Sequence, residues 1–141
     1  MTAVQAEDRV VTLTINGEAD LLHVRSTLRA HAQRAGLGLT AETKLVTAGS
    51  ELARNIVRYA THGQGLASIE QLSRGGRQGV RVVFQDNGPG IADVDQVMRD
   101  GYSTGDSLGL GLPGSRRLVD EFSIDSAEGR GTTVVIAQWT R

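Results

Sequence analysis

From Thr40 to Tyr59 the apolar residues fall at steps of three and four: Ala41, Leu45, Ala48, Gly49, Leu52, Ala53 and Ile56. That spacing predicts one long helix with a single apolar stripe. A helix of this kind must bury its stripe against a second layer, which the rest of the chain has to supply. Thr40 is the expected cap, and Glu42 suits the first turn. The segment Thr61-His62-Gly63-Gln64-Gly65 is the expected stop.

The flanking segments provide that layer. Val10 to Ile15 alternates, is rich in β-branched residues and predicts a strand, with an Asn16-Gly17 turn after it. From Asp20 to about Ala35, Leu21, Val24, Leu28, Ala32 and Ala35 repeat at helical spacing; Asp20 is the expected N-cap and Gly36 the stop. Leu66 to Leu72 and Val80 to Phe84 read as strands joined by a hairpin over Arg74 to Gly79. Residues 86–111 hold six glycines and little that suits a strand, with a short helix suggested by Ile91, Val94, Val97 and Met98. Leu112 to Glu121 predicts a helix with Pro113 in its first turn. Phe122 to Ala127 and Thr132 to Trp139 form a last hairpin around Glu128-Gly129-Arg130-Gly131. This order predicts an α+β fold, a two-layer sandwich whose mostly antiparallel sheet is covered on one face by helices.

Length and composition narrow the function classes. The 141 residues suit a single domain, 1–141, with the polar residues 1–8 expected to fray. The chain has no cysteine, which excludes disulfides, thiolate metal sites and a cysteine nucleophile. Fifteen basic residues face 16 acidic ones, a net charge of −1, so no general field attracts nucleic acid or an anionic membrane. Aromatic residues are 4%, too few for a base-stacking platform. No apolar run approaches the roughly 20 residues that span a bilayer, and Met1 to Asp8 lacks the order of a signal peptide. A cytoplasmic protein is the plain reading. Glycine makes up 18 of the 141 residues, nearly twice its usual share of about 7%, so where the excess falls matters.

Five segments carry possible chemistry. Glu51 and Asn55 lie four apart on the long helix, near one edge of its stripe, and can point together into a cleft. An amide oxygen suits a hard cation, and a carboxylate beside it can orient or deprotonate a hydroxyl, although such pairs are common on solvated helix edges. Asp86-Asn87-Gly88-Pro89-Gly90 directly follows a strand; Asp86 can accept from an exocyclic amine, and the same residues also make ordinary turns. Gly109-Leu110-Gly111-Leu112-Pro113-Gly114 opens a helix with N–H groups suited to phosphate. It also fits the bare dinucleotide fingerprint, but no strand precedes it and no parallel βαβ unit can be built around it. A Walker loop is excluded because the only lysine is Lys44. Tyr102 to Ser107 before it is polar and fit for a lid, and Gly131-Thr132-Thr133 starts the last strand with a hydroxyl. His23, His31 and His62 show no ligand spacing and read as structural, and Trp139 reads as packing.

In order and spacing, these motifs resemble the GHKL (Bergerat) ATP-binding family, which includes histidine kinases, type II topoisomerases and bacterial anti-sigma-factor kinases. Asn55-Ile56-Val57-Arg58-Tyr59 is similar to its N box, Asp86 to Gly90 to its G1 box and Gly109 to Leu112 to its G2 box. Within the family, Ser50 to Asn55, Gly101 to Thr104, and Gly109 to Gly114 with Arg117 to Phe122 resemble the serine kinases of bacterial partner-switching stress systems, the RsbT type. The resemblance implies ATP and Mg²⁺ as cofactors, with Asn55 as the metal ligand and Glu51 as the catalytic general base. It implies that Asp86 accepts the adenine amino group with support from Thr132, and that Gly88 and Gly90 let the backbone approach the nucleotide. Gly109, Leu110, Gly111 and Leu112 would meet phosphate, and Ser103, Thr104 and Gly105 would belong to the ATP lid. The lid lacks a lysine, so a cation on the γ-phosphate must be arginine or come from a partner. The implied activity is a serine/threonine kinase acting on a small STAS-domain antagonist, with a downstream phosphatase as a further partner. Two alternatives are an anti-sigma factor that sequesters a sigma factor in a nucleotide-dependent manner and a histidine-kinase-like ATPase domain.

Overall fold

The computed structural model describes residues 10–99 and 111–141. Its elements are β1 (Val10–Ile15), α1 (Ala19–Ala35), α2 (Leu39–Tyr59), β2 (Gly65–Arg74), β3 (Arg77–Asp86), α3 (Val94–Val97), α4 (Leu112–Leu118), β4 (Glu121–Ser126) and β5 (Thr132–Trp139). The strands form one sheet in the order β1-β2-β3-β5-β4, and every neighbouring pair is antiparallel. The expected fold of helices beside an antiparallel sheet is therefore the observed one. The expected fraying of residues 1–8 lies outside the described residues.

Register aligns the inward side chains into rows across the sheet. One row is Leu13, Ala67, Phe84, Val134 and Ile124; the next is Val11, Ile69, Val82, Ile136 and Phe122. Helices α1 and α2 lie on these rows, burying Val24, Leu28, Leu45, Leu52 and Ile56. Gly49 lets them approach: a Cβ there would overlap Leu28 Cδ1 and lie 3.6 Å from Phe84 Cζ. Gln138 is a buried polar group that is fully used. Its Nε2 donates to the carbonyls of Ala41 and Leu118, and its Oε1 accepts from the Asp120 N–H at 2.8 Å. It thus stitches the first turn of α2 and the end of α4 to the sheet.

Several boundaries differ from the sequence reading. Thr40 lies inside α2, whose cap is Gly38, and no side chain caps it. Asp20 lies in the first turn of α1 rather than at its cap, and its Oδ2 accepts from the Asn16 N–H at 2.7 Å, bracing the turn from β1. Strands β2 and β3 run further than their apolar cores because Gly75 and Gly76 both adopt positive φ, the backbone a two-residue hairpin needs. Helix α4 ends at Leu118 instead of Glu121, since Val119 is extended and Asp120 is drawn to β5, its N–H meeting the Ala137 carbonyl. Among the described residues, no helix is long and apolar enough to cross a membrane.

His31 is 2% exposed; its Nδ1–H donates to the Thr27 carbonyl at 3.0 Å, and its Nε2 is buried without a hydrogen-bond partner. Burial lowers its pKa from 6.5, the Thr27 bond opposes that shift, and Arg34 adds to it. The unfolded chain therefore binds the proton first as pH falls below about 6.5, and stability is lost through that window down to the lowered folded value. Urea unfolding at pH 7.5 and 5.5 should show a loss at the lower pH that shrinks in His31→Leu; an unchanged loss would assign it to other groups.

Candidate functional site

The row at one end of the sheet is different in kind. It reads Ile15, Gly65, Asp86, Thr132 and Ser126, so the register that packs the core also sets Asp86 directly opposite Thr132. Ser126 ties this end together. Its Oγ accepts the Ile91 N–H at 2.8 Å and donates to the Gly131 carbonyl at 2.8 Å. With its one proton so placed, the 2.8 Å contact to Thr132 Oγ1 is donated by threonine, leaving the Thr132 lone pairs for a ligand.

Two turns interlock around this row. The Gly129 N–H donates to the Pro89 carbonyl at 2.7 Å. Gly90 and Gly131 both have positive φ, and a Cβ on Gly90 would collide with the Ala127 carbonyl, one on Gly131 with the Asp86 carbonyl. Their bareness is therefore required by contact between turns, a reason internal to the fold that adds to any approach of a ligand. Gly88 is buried and donates its N–H to Asp86 Oδ1 at 2.7 Å. Burial raises the Asp86 pKa from 3.8, and the Gly88 bond opposes the shift.

Above the row is a small open cavity of about 70 Å³. Its walls are largely apolar, including Phe84, Ile91, Leu112, Ile124 and Val134, and its polar groups are few: Asn55, Tyr59, Asp86 and Thr132. Such a slot, apolar with one carboxylate at its base, suits a flat heteroaromatic ring bearing an amino group. The Asn55 Oδ1 is buried.

Glu51 does not line this cavity. It lines an open groove with Arg25, Ser50, Arg54, Gly111 and Ser115. The expectation that Glu51 and Asn55 share one cleft is thus corrected: four residues of helix put them in separate openings. The start of α4 divides the two, with Leu112 facing the cavity and Gly111 the groove. Gly111 has positive φ, and a Cβ there would lie 2.7 Å from Glu51 Cγ and 2.9 Å from its Oε1. Arg54 Nη1 lies 3.2 Å from Glu51 Oε2.

Of the sequence-predicted residues, the structure gathers Asn55, Asp86, Gly90, Leu112 and Thr132 at the cavity, Gly88 beside it, and Glu51 and Gly111 at the groove. Ser103, Thr104, Gly105, Gly109 and Leu110 lie outside the described residues. The sequence reading did not find Tyr59, Phe84, Ile91, Ile124, Val134 or Arg54 as site residues; the strand positions could have been found from alternation once the register was known. No group of three or more potential metal-ligating side chains occurs among the described residues.

This layered fold, with a largely apolar cavity between helix and sheet and a glycine-led helix at its rim, has the character of a nucleotide-binding ATPase domain. The family model for the histidine kinase-like ATPase domain matches residues 16–139, and the chain belongs to that family. It is 44% identical over 124 residues to the serine/threonine-protein kinase RsbT of Bacillus subtilis, covering 88% of this chain and 92% of RsbT. The same fold occurs in the catalytic domain of histidine kinase ThkA, with a TM-score of 0.53 and 13% identity over 91% of this chain and 95% of that one. It also occurs in the mycobacterial sensor histidine kinase MprB, with a TM-score of 0.56 and 17% identity over 93% and 99%.

Two substitutions probe this end of the molecule. Gly131→Ala should cost about 2 kcal/mol or more of stability, because positive φ and the clash with the Asp86 carbonyl act together; denaturant unfolding measures it. Asp86→Asn should keep the fold but weaken ATP at least about tenfold by calorimetric titration, since an amide cannot match the carboxylate as acceptor. Parental affinity would remove the adenine contact from Asp86.

Proposed function

We infer that this chain is a serine/threonine-protein kinase of the RsbT kind, transferring the γ-phosphoryl group of ATP to a hydroxyl of a small STAS-domain antagonist in a bacterial partner-switching stress pathway. The 44% identity to RsbT across 88% of the chain carries this reading. The arrangement of two openings supports it, since a kinase must seat a nucleotide and a separate hydroxyl side by side.

Asp86 accepts the adenine amino group through the oxygen not engaged by Gly88, and Thr132 assists with its free lone pairs. The apolar walls exclude water from the ring. Asn55 offers an amide oxygen at the phosphate side of the cavity. Mg²⁺ fits this donor set, because it is commonly held by one or two protein oxygens together with phosphates and water, not by a protein cage. When bound it neutralises phosphate charge. Gly111 and Leu112 offer N–H groups to phosphate, and the family resemblance assigns Gly109, Leu110, Ser103, Thr104 and Gly105, which lie outside the described residues, to the same nucleotide site. From the groove, Glu51 takes the proton of the acceptor hydroxyl while that oxygen bonds the γ-phosphorus and ADP leaves. Positioning and charge neutralisation supply most of what such a transfer needs. The kinase works in the cytoplasm and passes its signal to a phosphatase or sigma-factor circuit through its substrate.

The test is transfer from γ-labelled Mg-ATP into proteins of the source cell's extract. The parent chain should label one small protein on serine or threonine. Glu51→Ala should reduce that label at least about a hundredfold while binding ATP normally. Equal labelling by the mutant removes Glu51 as the base. No labelling by either, with ATP binding intact, rejects the kinase in favour of nucleotide-dependent sequestration of a sigma factor.

A further inference from the structure

We propose that Arg54 is a positioning residue for Glu51, fixing its carboxylate so that one oxygen is held and the other faces the turn that opens α4. The proposal rests on the reading of Glu51 as base. Arg54 is one turn further along α2, and its Nη1 lies 3.2 Å from Glu51 Oε2. The other oxygen lies near Gly111, where a Cβ would sit 2.9 Å from Oε1 and 3.0 Å from Cδ. The carboxylate therefore has a guanidinium at one oxygen and the bare backbone of Gly111 near the other. An unconstrained glutamate has three side-chain torsions and spreads over many rotamers. Here the engaged oxygen is Oε2, and Oε1 is directed to Gly111.

Stability does not account for the pair. The Arg54 and Glu51 side chains are 38% and 29% exposed, and an i,i+3 pair this open to water adds almost nothing to folding. Its effect lies in where it places the carboxylate. Proton transfer depends steeply on such placement, and a displacement of about 1 Å can cost about a hundredfold in rate. Arg25 lines the same groove, so a cation there could act on the acceptor directly instead. The two roles separate experimentally.

The experiment measures transfer from Mg-ATP to the protein labelled by the parent chain, in Arg54→Gln, Arg54→Lys, Glu51→Gln and the Glu51→Gln/Arg54→Gln double variant. The expected result for Arg54→Gln is a kcat lower by about ten- to a hundredfold with KM for both substrates within about twofold. Arg54→Lys should recover part of the loss. In the Glu51→Gln background, Arg54→Gln should cost nothing further, because the residue acts through the missing carboxylate. A rise in acceptor KM at unchanged kcat, or an equal loss in both backgrounds, overturns the proposal and makes Arg54 a substrate contact. The free protein gives a readout independent of activity: the side-chain carboxyl ¹³C resonance of Glu51, identified by its disappearance in Glu51→Gln, should move in Arg54→Gln. A stationary resonance also overturns the proposal. If Glu51→Gln keeps full transfer, the base reading fails, and the resonance still decides whether Arg54 holds the carboxylate.

Discussion

Helix α2 is the member on which the site depends, and its seat depends on residue 49 having no side chain. Gly49 faces Leu28 of α1 and Phe84 of β3, and even one methyl group would overlap the leucine. A glycine inside a helix costs roughly 0.5–1 kcal/mol against alanine. That cost is offset by the close packing it permits, since buried contacts are lost steeply with separation. With α2 drawn down onto the sheet, Asn55 reaches the cavity over the Asp86 row, and Glu51, one turn earlier, lies against Gly111.

The second constraint is the sheet register. Because side chains alternate, the pairing that places Phe84 beside Val134 in the core also places Asp86 beside Thr132 one step further along. A slip by one residue would turn both the core and the polar row to solvent. The interlocked turns guard against movement at this end: Gly129 is bonded to Pro89, and Ser126 bonds Ile91 and Gly131 at once. The cavity floor is thus made of short-range contacts between segments about 40 residues apart in sequence.

Local information was enough for much of this. The bounds of β1 follow from alternation, those of β5 from the hairpin turn over Glu128 to Gly131, and the stripe of α2 marks its length to within a residue. The motifs named Asn55, Asp86 and Thr132 among the polar residues of the cavity, because each carries a residue type its chemistry requires, while Tyr59 was missed. What escaped was decided by remote partners. Thr40 loses its expected role because the helix begins at Leu39, and α4 stops early because Asp120 pairs with β5. Nothing in the local sequence says that Gly90 is bare for the sake of Ala127, or Gly131 for Asp86. The approach of Gly111 to Glu51 was hidden in the same way: Arg54 lay within the motif already read, but Gly111 is 60 positions away.

Gly111 and Leu112 couple the two openings mechanically. Two adjoining residues at the head of one short helix face different openings, one toward the apolar slot and one toward the groove. Gly111 and Leu112 are adjacent on one backbone, so a shift of α4 moves a wall of the slot and a wall of the groove together. The two openings share one movable part, and a change of shape in either is carried to the other by a single short helix.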